Sequence, residues 1–230
     1  MNYATTNRLA VLVIQHDPLL PLGIAIALRQ HHAFEVFEGG PGELDSHEPR
    51  IDVVIADYGQ AIALASPANR ANRAPSATAK VLALTWNDKE ADVRRAIEAG
   101  VHGYLLMGGE FRDLVEGVTA VASGMRYLCR SVAQRMADSL TRIALTSREV
   151  EVLRLVVTGE PNKVIARHLN IEIGTVKSHM SAIMSKLGAT SRTHAAGIAV
   201  NRGLVDSPLG AFGESARSNL APADSRVQYA

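Results

Sequence analysis

The sequence predicts a doubly wound α/β domain with a five-stranded parallel sheet, followed by a four-helix domain that contains a helix-turn-helix. Short apolar runs alternate with helix-like stretches through the first 123 residues, and strand signals stop after them. Parallel strands that are covered by helices on both faces read as continuous apolar runs, such as VVIA and VLAL here. Five strand–helix repeats in this length favour a doubly wound sheet.

The elements of the α/β part follow one another in regular order. β-rich runs predict strands at residues 10–14, 34–37, 52–56, 80–85 and 103–106. Helix-like stretches predict helices at residues 18–30, 42–47, 60–73, 89–99 and 111–122. The next stretch is basic and has a helical pattern. We therefore predict an α/β domain over residues 1–123 and a linker helix over residues 124–144.

Capping signals divide the second part, residues 145–205, into four helices. Thr146 and Glu149 have the spacing of a capping box, in which the two residues satisfy each other's backbone N–H groups at a helix start. Helices are predicted from this box to residue 158, and at residues 162–169, 175–187 and 191–202. Gly188 is expected to end the third helix and Ser191 to cap the fourth. Residues 206–230 are rich in Ser, Ala, Pro and Gly, and we expect a disordered tail.

Composition and charge limit the possible functions. No apolar run approaches the ~20 residues of a membrane span, and the N-terminus lacks a signal-peptide pattern, so we expect a cytoplasmic protein without a membrane partner. The formal charge is −5 over residues 1–124 and +4 over residues 145–205. A polyanionic partner is therefore expected to bind residues 145–205. The single cysteine, Cys129, excludes an internal disulfide and a Cys-rich metal site. It is either a redox sensor or, as we expect, a small apolar filler.

Two short helices joined by a four- or five-residue turn are the components of a helix-turn-helix. Val164, Ile165 and Leu169 of the first helix can pack against Val176 and Met180 of the second, and Ala166 is small enough for the helices to approach. The polar side chains that this packing leaves pointing outward are Lys177, Ser178, Ser181 and Lys186.

Residues 145–205 resemble the LuxR/NarL-type DNA-binding domain. The resemblance depends on LTSRE, NKVIARHL, GTVKSHM and KLGATSRTHA, which have the family's order and spacing. It implies that the helix at residues 175–187 enters the major groove of double-stranded DNA. Lys177 and Ser178 are then expected to contact base edges and nearby phosphates. The resemblance also implies a homodimer in which the helix at residues 191–202 forms the contact between the two copies. We expect no cofactor.

The same resemblance implies further DNA contacts. Backbone contacts are expected from Thr175, His179, Lys186 and Arg192. The remaining positions in the predicted DNA-binding set are Lys163 and Ser181. The position of Ser181 is often basic in relatives, and Glu172 replaces a small hydroxyl residue, so the affinity or the preferred site is expected to differ from theirs.

Residues 9–123 resemble the receiver domain of two-component response regulators, through the order and spacing of the elements. Asp57 follows the third strand, at the position of the phosphoacceptor. Thr85 ends the fourth strand, where the family has its phosphate-sensing hydroxyl, and Tyr104 opens the fifth as the switch aromatic.

The residues that would support phosphoryl transfer are missing from this receiver-like part. The family holds Mg²⁺ with two acidic residues after the first strand, where this chain has Gln15 and His16. Asp17 is one place too late, and alternation along an extended chain directs it elsewhere. Met107 replaces the family's lysine, and Trp86 is expected to fill the phosphate pocket. We therefore predict a degenerate, phosphorylation-independent receiver that responds to a small molecule or to a partner protein.

Three other interpretations compete with a sequence-specific DNA-binding regulator. The first is a conventional response regulator that a sensor kinase phosphorylates on Asp57. The second is a metal-dependent hydrolase built on His16, Asp17 and Asp57 near the strand ends, but a matching nucleophile, base and oxyanion site are missing, so we expect no enzyme. The third is a protein-interaction module that has lost DNA binding, which the intact TVKSH segment argues against.

Overall fold

The computed structural model describes residues 8–17, 19–40, 44, 50–71 and 79–206. The chain divides into two compact units, Met1–Thr141 and Arg142–Ala230. The predicted tail after residue 206 and, apart from Leu44, the predicted helix at residues 42–47 lie outside the described residues. Among the helices that are described, none is both long and apolar enough to cross a membrane.

The described part of the first unit is an α/β fold with a parallel sheet in the order β2-β1-β3-β4-β5-β6. The strands are β1 (Leu9–Ile14), β2 (Phe34–Glu38), β3 (Val53–Ala56), β4 (Lys80–Thr85), β5 (Gly103–Leu106) and β6 (Tyr127–Leu128). The helices are α1 (Leu19–Arg29), α2 (Tyr58–Ala65), α3 (Pro67–Ala71), α4 (Glu90–Glu98), α5 (Phe111–Ala122) and α6 (Arg130–Leu140). The predicted doubly wound class is confirmed.

The core of this unit lies along the central strands, whose apolar residues are buried on both faces of the sheet. Close packing of α5 against the sheet requires Gly103, because a Cβ there would lie 2.8 Å from Val121 Cγ2. The strand order reverses between β1 and β3, and the loops at the carboxyl ends of these strands hold the residues of the receiver-like site.

Two details of the first unit differ from the prediction. The sheet has a sixth strand, because residues 124–144 form β6 and α6 rather than one connecting helix. The N–H of Cys129 donates to Tyr104 O at 3.1 Å, and the side chains of Cys129 and Val132 are buried in the core. The predicted helix at residues 60–73 is broken at Ser66, which is extended because a proline follows it.

The second unit is, in its described part, a bundle of four helices, as predicted. They are α7 (Ser147–Val157), α8 (Asn162–His168), α9 (Ile173–Leu187) and α10 (Arg192–Asn201). Both bonds of the capping box between Thr146 and Glu149 form. Gly188 ends α9 in the left-handed region at φ 65°, and Ser191 Oγ accepts from the N–H of His194 at 3.0 Å. The capping predictions for this unit are therefore confirmed.

Candidate nucleic-acid interface

The α8–turn–α9 segment is held together by small and medium apolar side chains. Ile165 and Val176 are fully buried, and Ala166 and Met180 are nearly so, which confirms the predicted packing for these four residues. Leu169 is half-buried and packs against the same cluster, whereas Val164 is half-buried outside it, so its predicted packing is wrong. The turn is closed by the N–H of Ile171, which donates to Ala166 O at 2.9 Å. Asn170 lies in the left-handed region at φ 51°, a conformation that Asn tolerates better than most residues. The sequence therefore fixes both the packing and the bend of a helix-turn-helix.

One side of α9 is polar and open to solvent. Gly174, Lys177, Ser178 and Ser181 are exposed, and their spacing places them on one strip of the helix, which we call the outer face. Thr175 borders this strip and is also exposed. Ser178 Oγ donates to Gly174 O at 3.2 Å, so its oxygen remains able to accept a bond. With side chains, an α-helix is about 10–12 Å wide and fits the major groove of B-DNA.

The remaining predicted contact residues lie in different surroundings. Lys163 is exposed on α8, and His179 is half-buried beside the outer face. Lys186 is bonded inside the unit, since its Nζ donates to Glu149 Oε2 at 2.7 Å. The side chains of Lys186 and Glu149 are 23% and 6% exposed. The prediction that Lys186 points outward is therefore wrong.

Arg192 is also engaged within the unit. Its guanidinium donates to Asn162 Oδ1 at 2.8 Å and to the carbonyl oxygen of Glu160, so it ties the start of α10 to the start of α8. A second arginine, Arg148 of α7, donates to Leu169 O at 2.7 Å at the end of α8. These long-range bonds hold the helix-turn-helix in place against its neighbours, and sequence periodicity gives no signal for them.

Glu149 is a buried carboxylate that accepts hydrogen bonds from Thr146 and Lys186. Burial alone would raise its pKa, but hydrogen bonds from Lys186 Nζ and from the N–H of Thr146 outweigh burial and hold the pKa below its ordinary value. The N–H of Thr146 donates to the same oxygen at 2.7 Å. Glu149 is thus a buried, charged residue that joins the start of α7 to the end of α9.

In the first unit, Asp57 is engaged by the backbone on both sides. It is the N-cap residue of α2, with Oδ1 accepting from the N–H of Gln60 at 2.9 Å. Its Oδ2 accepts from the N–H of His16 at 3.0 Å. The side chain therefore connects the loop after β1 to the start of α2.

The residues that replace the family's acidic pair are also bonded to the fold. Gln15 Nε2 donates to Leu84 O at 3.4 Å. Asp17 Oδ1 accepts from the N–H of Leu19 at 2.8 Å, at the start of α1, so its carboxylate faces a helix end. Among the described residues, no group of three His, Cys, Asp or Glu side chains is arranged to hold a metal ion.

The two predicted switch residues lie beside Asn87, after β4. Thr85 Oγ1 accepts from the N–H of Asn87 at 3.1 Å, and the hydroxyl of Tyr104 donates to Asn87 O at 2.7 Å. Tyr104 is fully buried, and burial raises its pKa. Trp86 is 72% exposed, so the prediction that it fills the phosphate pocket is wrong.

A neighbouring tyrosine completes the polar network at this edge of the sheet. The hydroxyl of Tyr58 donates to Asp92 Oδ1 at 3.3 Å, and Asn87 Nδ2 donates to Asp92 Oδ2 at 2.9 Å. Burial, followed by the negative charge of Asp92, raises the pKa of Tyr58 to about 12. Asp57, Thr85 and Tyr104 thus lie on adjacent strands or loops, each in a fixed set of bonds.

Comparison with known proteins gives matches over both units. Residues 144–199 match the family described as bacterial regulatory proteins, luxR family. The chain is 32% identical over 197 residues to a nitrate/nitrite response regulator protein homolog of Haemophilus influenzae, covering 82% of this chain and 95% of the relative. It is 30% identical to the response regulator protein VraR of Staphylococcus aureus, covering 85% and 98%.

A solved structure has the same architecture. It is RcsB from Salmonella enterica serovar Typhimurium, bound to promoter rprA in the presence of a phosphomimetic. The TM-score is 0.58 at 26% identity, and the match covers 83% of this chain and 98% of that chain. The similarity therefore extends over both units.

Proposed function

Because this chain belongs to the response regulators with a LuxR-type DNA-binding domain, we propose that it is a sequence-specific transcriptional regulator. In this proposal α9 reads the major groove, and the control of DNA binding does not depend on phosphorylation of Asp57. The protein acts as a regulator rather than as an enzyme. We propose that it is located in the cytoplasm, where it can reach the chromosome.

The observation that carries DNA binding is the outer face of α9. Its residues are small or basic and exposed, and a rigid apolar contact with α8 supports it from behind. Lys177 supplies a charge for phosphate or guanine, while Ser178 and Ser181 supply short donors and acceptors for base edges. The net charge of +4 over residues 145–205 favours a polyanion. The RcsB match supports this assignment, because that protein is bound to a promoter.

We propose two roles for the predicted contact residues. Lys163, Thr175, Lys177, Ser178, His179 and Ser181 are proposed to contact DNA. The internal bonds of Lys186 and Arg192 support positioning roles for these two residues, which orient α8 and α9. A homodimer is proposed to place two such units on paired half-sites, with α10 as the contact surface.

The observation that carries phosphorylation independence is the bonding of Asp57. Both of its oxygens accept backbone N–H groups, and an amide and an imidazole stand where two carboxylates would hold Mg²⁺. Mg²⁺ prefers carboxylate and water oxygens, so its affinity here is expected to be low. Met107 gives the phosphoryl group no charge-assisted partner. The alternative, a sensor kinase that phosphorylates Asp57, is favoured by the names of the two response regulator relatives.

DNA binding is tested by gel shift on genomic fragments that the full-length protein enriches. Lys177→Gln is expected to weaken binding about tenfold and to lower the salt slope by about 1. The matched control is Arg154→Gln, which removes one exposed positive charge from α7 and is expected to bind DNA as tightly as the unchanged protein. If Lys177→Gln also binds as tightly as the unchanged protein, α9 is not the DNA-reading helix.

Phosphorylation is tested separately, by incubating the protein with acetyl phosphate and Mg²⁺ at pH 7. We expect no mass gain at Asp57 and no change in affinity for the enriched fragments. A gain of one phosphoryl group, together with tighter DNA binding, would establish the conventional alternative. A response regulator of the same family, with an intact phosphorylation site in its receiver domain, serves as the positive control for acetyl phosphate.

A further inference from the structure

The first turn of α9 projects from the second unit. Four consecutive residues, Glu172, Ile173, Gly174 and Thr175, are exposed, whereas each later turn of α9 buries at least one side chain. A Cβ at Gly174 would meet no atom within 4 Å, so the space beside this turn is open. The N-terminal residues of a recognition helix are those that contact base edges in helix-turn-helix proteins. We call residues 172–175 the tip of α9.

Glu172 does not serve the structural role that its position offers. It is the N-cap residue of α9, but its side chain makes no capping bond. Within the part of the chain that the structure describes, that side chain has no hydrogen bond or ion pair. Ser, Thr, Asp and Asn are the preferred N-cap residues, and the attraction of an exposed carboxylate to the helix dipole is small. The stability of α9 therefore does not account for a glutamate at this position.

An apolar side chain lies next to this carboxylate. Ile173 is 43% exposed. The other exposed large apolar side chain in the described second unit is Ile143, which lies before α7. The tip of α9 thus presents a hydrogen-bond acceptor and an apolar group on adjacent residues, in the part of the helix that the proposed function places in the groove.

We propose that the tip of α9 determines part of the base preference of the protein. In this proposal the carboxylate of Glu172 accepts a hydrogen bond from the amino group of a cytosine, and Ile173 contacts the methyl group of a neighbouring thymine. The inference rests on the proposed function, since it requires α9 to lie in the major groove. Cytosine N4 and the C5-methyl group of thymine are both exposed there.

A carboxylate distinguishes cytosine from the other three bases because it can only accept hydrogen bonds. The N4 amino group of cytosine is a donor, whereas O6 and N7 of guanine and O4 of thymine are acceptors and repel the carboxylate. Adenine has an amino donor too, but the N7 acceptor lies beside it. The phosphates repel Glu172 at every site, so its presence lowers the affinity for DNA unless a cytosine compensates. Rejection of the wrong sequences by such a group is a common source of specificity.

The experiment selects binding sites from random duplex DNA with the full-length protein and compares four chains. We expect the unchanged protein to enrich a motif in which one position is cytosine, preferred at least about fivefold over each other base. Glu172→Ser is expected to lose the preference at that position and to keep the rest of the motif. Glu172→Gln is expected to change the preferred base to adenine, because a glutamine side chain forms two bonds with adenine N6 and N7.

Two controls separate base recognition from charge and from folding. Asp206→Asn removes an exposed carboxylate after α10 and is expected to leave the motif unchanged. Ser is a preferred N-cap residue, so Glu172→Ser is expected to unfold at a urea concentration no lower than the unchanged protein, as followed by circular dichroism at 222 nm. A loss of preference then reflects a lost contact with DNA.

The contact of Ile173 is measured on the selected site. Each thymine beside the cytosine, in either strand, is replaced by deoxyuridine, which lacks the methyl group. For the unchanged protein we expect one replacement to weaken binding about fourfold, which is the value expected for the loss of one buried methyl group. For Ile173→Ala the same replacement is expected to have no effect.

Each outcome decides the proposal. An unchanged cytosine preference in Glu172→Ser overturns it, and so does a motif without cytosine in the unchanged protein. Tighter binding of Glu172→Ser to all sequences, with the same motif, means that Glu172 only repels phosphates, which also overturns it. Equal effects of deoxyuridine on Ile173→Ala and on the unchanged protein overturn the contact of Ile173. If the unchanged protein enriches no motif at all, the proposed sequence-specific function fails as well, whereas an unaltered motif in the variant leaves that function standing.

Discussion

Removal of the amino group of Lys186 is expected to destabilise the second unit while leaving the first intact. In Lys186→Met, Glu149 keeps its burial and its bond from the N–H of Thr146 but loses its counterion. Breaking a buried pair by removing one partner costs about 3–5 kcal/mol. Because Lys186 is 23% exposed and one bond to Glu149 remains, we expect about 2 kcal/mol here.

Two optical signals separate the units in one urea titration of the full chain. Trp86 lies in the first unit, and residues 142–206 contain neither Trp nor Tyr, so fluorescence follows the first unit while circular dichroism at 222 nm follows the helices of both. With an m-value of about 1–2 kcal/mol per molar urea for so small a unit, the second transition should fall by about 1–2 M. The fluorescence transition should not move.

The controls use the same chemistry at other places. Lys163→Met removes an exposed amino group of α8 and is expected to change the free energy of unfolding by less than about 0.5 kcal/mol. The double variant Glu149→Gln/Lys186→Met removes both charges and should recover part of the loss, since Gln still accepts from the N–H of Thr146. An unmoved dichroism transition in Lys186→Met would refute the buried pair and return Lys186 to the list of free DNA contacts.

The dependence on pH gives a second check on the same pair. The folded pKa of Glu149 lies below its ordinary value of 4.5, so the pair stabilises the fold above that pH. This stability is lost as the pH falls from the ordinary value through the folded pKa, because protonation of Glu149 removes the charge that Lys186 pairs with. In Lys186→Met the pKa of Glu149 is expected to rise, so the difference between variant and unchanged protein should narrow in acid.

Three further predictions concern other residues. Ser181→Arg adds a charge to the outer face of α9 and should tighten binding to enriched fragments and raise the salt slope by about 1 in gel shifts, whereas Ser123→Arg in the first unit should not. Asp57→Ala removes the cap of α2 and the partner of the His16 N–H, so the free energy of unfolding measured from Trp86 fluorescence in urea should fall by about 1–2 kcal/mol, and that of Asp57→Asn by less. Tyr104→Phe deletes the buried bond to Asn87 O and should cost about 1 kcal/mol in the same assay; an unchanged midpoint would contradict the bond.

Sequence patterns predict the parts of this molecule that depend on local chemistry. The apolar runs of β4 and β5 and the periodicity of α5 gave their bounds without error, because burial on one or both faces fixes the pattern. The box formed by Thr146 and Glu149 was also predictable, since its two residues are three positions apart.

Two of the errors arise where a distant partner decides the structure. Strand β6 has two residues, which is too short for any period, and it forms because β5 offers an open edge. Lys186 lies next to Leu187 at the end of α9, and periodicity alone places it at the border of the outer face. Only the folded unit brings it to Glu149, which is 37 residues away in the chain.

The groups that a phosphate switch would use are, in this chain, used to hold loops. Asp57 joins the β1 loop to α2, Gln15 reaches β4, and Asp17 caps α1. A phosphoryl group on one oxygen of Asp57 would have to displace the backbone bond to that oxygen, without a magnesium ion or a lysine to compensate.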